Sequence, residues 1–222
     1  MSWTIAKTPH NSKAIEALEK AINEAKDANI LMFGAASDQG LNASKDIYPV
    51  AAGSVFCIGA ANESGKPEDV SDKESHYVFP GRDIGGTSTA QGSAKPTDEQ
   101  PTDEPSSSIA NALAAGLAAL ILHCVEITEP RRMAARPWLG KIDRKQLTTY
   151  RTMNSIFKNM AGAGNKYIPV QSYFDASIAD KDWDDGEDLL EGIVAKIIRY
   201  AYCFPLPKIS RFMYAVPADN KI

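Results

Sequence analysis

Residues Asn29 to Ala36 read NILMFGAA, and Val55 to Ala61 read VFCIGAA. Each is an apolar run of strand length, bounded by polar turn residues. A strand that is apolar at every position, rather than at alternate ones, has both faces covered, as in a parallel sheet clothed by helices. Tyr77 to Phe79 gives a third, shorter run of the same kind. Upstream, Ser12 to Ala28 reads as an amphipathic helix. Ile15, Leu18, Ile22 and Ala25 fall at helical spacing, and Glu and Lys fill the other face. Met1 to Ile5 is short enough to be a strand end. A helix followed by buried strands predicts a doubly wound α/β sheet.

Downstream the composition changes. Gly85 to Pro105 reads GGTSTAQGSAKPTDEQPTDEP, with a near repeat of PTDE at Pro96 and Pro101. Gly, Ser, Thr, Pro and acid cannot build a core, so this stretch reads as a flexible surface loop. Ser107 to Glu126 follows as the strongest helix of the chain. Its body, IANALAAGLAALIL, is apolar all round, which implies a helix buried inside the protein. Arg144 to Met160 is amphipathic, with Leu147, Tyr150, Ile156, Phe157 and Met160 on one side and Gly162 as a stop signal. Lys166 to Phe174 is strand-like, Leu189 to Tyr202 helical, and the proline-bearing end an extended tail.

Bulk properties narrow the function classes. The 222 residues carry 24 basic and 28 acidic side chains, a net charge of -4, with 44% hydrophobic residues. That content suits a globular core. No Lys/Arg run suggests a nucleic-acid or anionic-membrane partner. The longest apolar stretch, Ala112 to Leu122, is too short to span a bilayer. Cys57, Cys124 and Cys203 are widely spaced and odd in number, which argues against a disulfide framework or a zinc site. Each reads as a small buried hydrophobe. The opening MSWTIAKTPHNS lacks the apolar middle of a secretory signal, so a cytoplasmic location is expected.

Three segments, in this order, resemble the subtilisin-like serine proteases, or subtilases. They are AASDQG (Ala35 to Gly40), YPVAAGSVFCIGAAN (Tyr48 to Asn62) and SSSIANALAAGLAAL (Ser106 to Leu120). The opening MSW resembles the interior strand that precedes them in the family. The wording is similar to divergent intracellular fungal members. The resemblance implies a three-layer αβα fold, incomplete on its N-terminal side. It covers Met1 to Glu126, giving a partial peptidase domain at 1–126 with the acidic insertion 85–105. Residues 127–222 form a C-terminal continuation.

In the family, a Gly-Thr/Ser-Ser-x-Ala motif opens a buried helix, and its second hydroxyl residue is the nucleophile. Ser106-Ser107-Ser108-Ile109-Ala110 stands at that place, so Ser108 matches the nucleophile. A serine at a helix N-terminus sits beside unpaired backbone N–H groups, which stabilise a developing oxyanion. Ser106 departs from the family glycine, and its side chain could crowd a substrate. The plain alternative is that Ser107 or Ser108 is only an N-cap. Gly86-Thr87-Ser88-Thr89-Ala90 fits the motif letter for letter, but the polar, Pro-containing stretch after it cannot continue as a buried helix. Ser108 is therefore preferred to Ser88.

The family oxyanion residue, usually Asn, corresponds to Asp38. An ionised Asp only accepts hydrogen bonds; its protonated form could donate. Working prohormone convertases carry Asp there. The alternative is an Asp capping a turn at a strand end.

By the family order the triad Asp and His precede the MSW strand, so this chain is expected to lack both. His10 precedes a surface helix, His76 lies in a polar loop, and His123 is about four turns along the helix from Ser108. None suits the role of base, so little or no peptidase activity is expected of the isolated chain.

Asp180, Asp182, Asp184 and Glu191 fall at EF-hand spacing, but Asp185 stands where that loop needs Gly. A solvated acidic loop capping the next helix is the better reading, and no metal or cofactor is expected. The resemblance thus implies a serine endopeptidase fragment acting on peptide or protein substrates through an acyl-enzyme, completed by a complementary half-domain. No nucleic-acid or membrane partner is expected. Segment Asp46 to Gly65 is read as scaffold. The rival reading is a catalytically inactive interaction module whose uncovered apolar surface takes a partner.

Overall fold

The computed structural model describes residues 1–37, 46–68, 75–81, 106–135 and 144–174, together with Val194 and Ile197. Strands β2 (Met32–Ala35), β4 (Val55–Ala61) and β5 (Tyr77–Pro80) form a three-stranded sheet in the order β2-β4-β5. Both pairings are parallel, with Phe33 opposite Phe56 and Ala60 opposite Phe79. The ladder continues at each edge. The Met1 amino nitrogen donates to the Phe33 carbonyl at 2.6 Å, and the Ala35 N–H donates to the Met1 carbonyl at 3.0 Å. That pair of bonds straddling Gly34 is the parallel pattern, so Met1 occupies the next strand position. On the other side Tyr167 forms a parallel bridge to Val78. Five neighbouring positions of one parallel sheet therefore follow in chain order.

Helices cover both faces. Helix α1 (Ser12–Asp27) lays Ile22 against Met32 and Val55 on one face. Helices α2 (Ser107–Ala135), α3 (Arg144–Leu147) and α4 (Tyr150–Ala161) pack on the other. There Phe33, Phe56, Ile58, Tyr77 and Phe79 meet Ala110, Ala114, Ile121, Leu147 and Phe157 in one cluster. Alternate residues of each strand thus serve opposite layers, which is why the runs are apolar throughout. The architecture is the expected doubly wound αβα arrangement. A small antiparallel pair, β1 (Ile5–Ala6) with β3 (Ile47–Tyr48), sits apart from it. The Tyr48 hydroxyl donates to the Glu19 carboxylate of α1, and this bond is the chief cause that pushes the tyrosine pKa up to about 12.

Aromatic rings fill the larger core. Phe33 and Phe56 stack at 5.1 Å, Phe56 and Tyr150 at 4.4 Å, and Phe157 meets Tyr77 edge-on at 5.4 Å. The Tyr77 hydroxyl satisfies itself on Asn154 of α4, donating to its backbone carbonyl at 3.0 Å. Cys57 and Cys124 are buried thiols, as their spacing suggested.

Three readings are adjusted. The single helix expected over Arg144 to Met160 is two helices, because Thr149 leaves the helix and its side chain caps α4 by accepting from the Thr152 N–H. Lys166 to Phe174 contributes one bridge at Tyr167 and then the short helix α5 (Gln171–Phe174) rather than a strand. Helix α2 runs past Glu126 to Ala135, through Pro130, and is not buried all round. Ser107, Ala110, Ala114, Leu117, Ile121 and Cys124 face the sheet, while Ile109, Leu120 and Ile127 stand 41%, 41% and 46% exposed. By length and composition Ser107–Pro130 is long enough to cross a bilayer, contrary to the estimate from Ala112 to Leu122. Its sheet-packed stripe is that of a core helix. Val194 and Ile197, inside the helix expected at Leu189 to Tyr202, are helical and buried in the same core as α4. The loop expected at 85–105, the acidic stretch with Asp180, Asp182, Asp184 and Glu191, and the tail lie outside the described residues.

His76 immediately precedes β5. Its Nδ1 accepts from the Cys57 N–H at 3.0 Å, and the His76 backbone N–H donates to the Cys57 carbonyl at 2.8 Å. Desolvation of the ring, with the Lys166 ammonium nearby, lowers its pKa below the ordinary 6.5. The fold therefore favours the neutral ring, and below the unfolded pKa the unfolded chain binds more protons. Its contribution is present above about pH 6.5 and is lost as pH falls through the lowered folded value.

Two outcomes follow for stability. Phe157→Ala removes the ring at the centre of the aromatic cluster and should cost about 3–5 kcal/mol, read by urea unfolding. Because His76 is exposed, solvent screens this effect, and its share of the urea midpoint should fall only slightly as pH drops from 7 to 5. His76→Gln should flatten that slope; an unchanged slope would remove His76 from the account.

Candidate active site

The C-terminal ends of the parallel strands lie together. The Ala36 N–H donates to the Ile58 carbonyl at 2.7 Å, the Gly81 N–H to the Ala61 carbonyl at 3.3 Å, and the Ser106 N–H to the Gly81 carbonyl at 2.9 Å. Helix α2 thus begins directly where β5 stops. In open α/β sheets the crevice beyond the carboxyl ends of the strands is where ligands bind. Gly81 makes this junction possible. A Cβ there would lie 2.4 Å from the Ala60 Cβ and 3.1 Å from the Ser106 carbonyl oxygen, so no side chain fits.

The three serines at the junction have different environments. Ser107 is fully buried, whereas Ser106 and Ser108 are partly exposed. The first helical bond of this turn runs from the Ala110 N–H to the Ser106 carbonyl at 3.3 Å. The Ser108 and Ile109 amides therefore precede the intrahelical ladder and point out of the helix end. A 29-residue helix adds its dipole, which favours negative charge at this end. A hydroxyl beside such donors can attack a carbonyl and have the resulting oxyanion stabilised, provided a base takes its proton.

The end of β2 approaches the same place. The Met1 carbonyl accepts both from Ala35 at 3.0 Å and from the Asn111 side chain of α2 at 3.3 Å. Ala36 and Ser37 are buried as the chain leaves the strand. Asp38 is the next residue; it lies outside the described residues, as does Ser88.

Two of the three histidines lie far from Ser108 along their own elements. His76 lies at the opposite, N-terminal end of β5, about 16 Å down the strand direction from Gly81. His123 is about 22 Å along α2 and exposed. His10 lies in the exposed turn leading into α1, which covers the face of the sheet away from α2. Among the described residues no group of His, Cys, Asp and Glu could hold a metal ion.

Two residues of the site escaped the sequence reading. Gly81 shows its role only when strand and helix are brought into contact. Asn111 carried a signal, as the only polar side chain in the otherwise apolar body of α2 between Ser108 and His123.

Known proteins share features of this fold. A lanthipeptide protease of known structure is 19% identical with a TM-score of 0.51, the match covering 73% of this chain and 53% of that one. The prenylagaramide maturation protease PagA is 21% identical with a TM-score of 0.45, covering 83% and 55%. This chain therefore spans about half the length of the solved structures it matches. No curated protein matches it. The model of the subtilase family, Peptidase_S8, matches residues 1–164, and the chain belongs to that family.

Proposed function

We propose that the chain carries the nucleophile portion of a subtilisin-like serine endopeptidase, with Ser108 as the nucleophile and peptides or proteins as substrates. The observation that supports this most is the partly exposed Ser108 on the first turn of α2, seated at the carboxyl ends of the parallel strands. The Ser108 Oγ attacks the scissile carbonyl while a base removes its proton. The oxyanion is held by the Ser108 N–H. Collapse expels the amine, which takes the proton, and water then hydrolyses the acyl-enzyme. Asp38 assists only when protonated, since its ionised form repels the oxyanion.

His76 and His123 lie far from Ser108 along β5 and α2, which supports a base supplied by another segment of polypeptide. In the family pattern the Asp and His come from segments preceding the strand that corresponds to residue 1. The apolar outer stripe of α2, with Ile109, Leu120 and Ile127, is a surface that such polypeptide would cover. The same stripe, together with Asp38 in place of Asn, favours a second reading: an inactive interaction module that takes a partner there.

A fluorophosphonate probe separates them. With polypeptide supplying Asp and His, labelling should vanish in Ser108→Ala and persist in Ser88→Ala. The 222-residue chain alone should label at least ~10²-fold more slowly, as expected of a serine without its base. Labelling that survives Ser108→Ala overturns the assignment. No labelling in any context, with a stable partner bound, supports the interaction module.

A further inference from the structure

We propose that Asn111 is a positioning residue of this site, pinning the segment that starts at Met1 to the nucleophile helix one turn behind Ser108. The inference rests on the reading of Ser108 as nucleophile. Asn111 is 3% exposed and sits on the face of α2 that meets the sheet. Its Nδ2 donates to the Met1 carbonyl, the same oxygen that receives the Ala35 N–H. One oxygen thus joins the end of β2, the edge segment and α2. Side chains of a helix lean toward its N-terminus, so Asn111, about 4.5 Å along the axis from Ser108, reaches back toward it. Beyond Met1 the chain is exposed from Ser2 to Thr4, with Trp3 at 47%. The Asn111 bond sets how far this exposed segment stands from Ser108.

Stability alone does not account for an asparagine here. Its Oδ1 is buried and has no hydrogen-bond partner among the described residues. A buried acceptor left unsatisfied destabilises the fold. Its neighbours Ala110 and Ala114 on the same face are apolar, and a leucine of similar shape would carry no such penalty. The Met1 carbonyl would still keep its bond from Ala35. A buried polar group that costs stability beside a candidate nucleophile fits a position set by geometry. Displacement of a site wall by about 1 Å is enough to slow chemistry ~10²-fold.

The test compares the parent protein, with its complementing polypeptide, and Asn111→Leu. Three quantities are read: Tm, exchange of the Ala35 amide, and the rate of Ser108 labelling by a fluorophosphonate. Asn111→Leu should melt at or above the parent temperature, exchange Ala35 at least ~10-fold faster with the β4 amides unchanged, and label at least ~10-fold more slowly. Asn111→Ala repeats the comparison if leucine does not pack. Parent-like exchange and labelling overturn the proposal, as does a fall in Tm that tracks the fall in labelling, which is the mark of a purely structural role. A parent protein that never labels overturns the nucleophile reading instead, and Ala35 exchange alone then decides whether the tie exists.

Discussion

The site depends on how α2 is joined to the sheet. Gly81 follows β5, its carbonyl receives the Ser106 N–H, and the helix begins at Ser107. Because a Cβ at Gly81 would collide with Ala60, the approach is available only to glycine. That junction fixes the helix end over the carboxyl ends of the strands. The sheet-facing stripe from Ala110 to Cys124 then holds the axis, and the aromatic cluster with α4 closes the same core. A hydroxyl on the first turn is thereby carried by packing rather than by a loop, which suits a group that must be aimed.

Much of this was legible in the chain. The uniformly apolar runs at Asn29 to Ala36 and Val55 to Ala61 required cover on both faces, and the structure provides it with α1 on one side and α2 and α4 on the other. The first strand is shorter than its apolar run because Asn29 turns the chain with a positive φ and Ile30 is exposed. What composition could not show was the break at Thr149, where a side-chain cap competes with helix continuation. Nor could it show that only one side of the Ala-rich helix is covered among the described residues. An apolar surface states what can be buried, not what arrives to bury it.

For the site, the Ala-rich helix that follows it favoured Ser108 over Ser88; in the structure Ser108 is partly exposed and Ser107 enclosed. The three histidines are few enough to place one by one. His76 is distant along β5 and His123 along α2, while His10 lies in the turn before α1. Asn111 and Gly81 were not read in advance. The meaning of each comes from an atom of a distant segment: the Met1 carbonyl for one, the Ala60 Cβ for the other.

The central claim is that the first turn of α2 presents Ser108 and its own amide to a reacting carbonyl. A crystal structure of the complemented protein after fluorophosphonate treatment tests it most directly. The account predicts phosphorus bonded to the Ser108 Oγ, with the phosphoryl oxygen within hydrogen-bond distance of the Ser108 N–H. An adduct on another residue, or a phosphoryl oxygen turned away from the helix end, would contradict it.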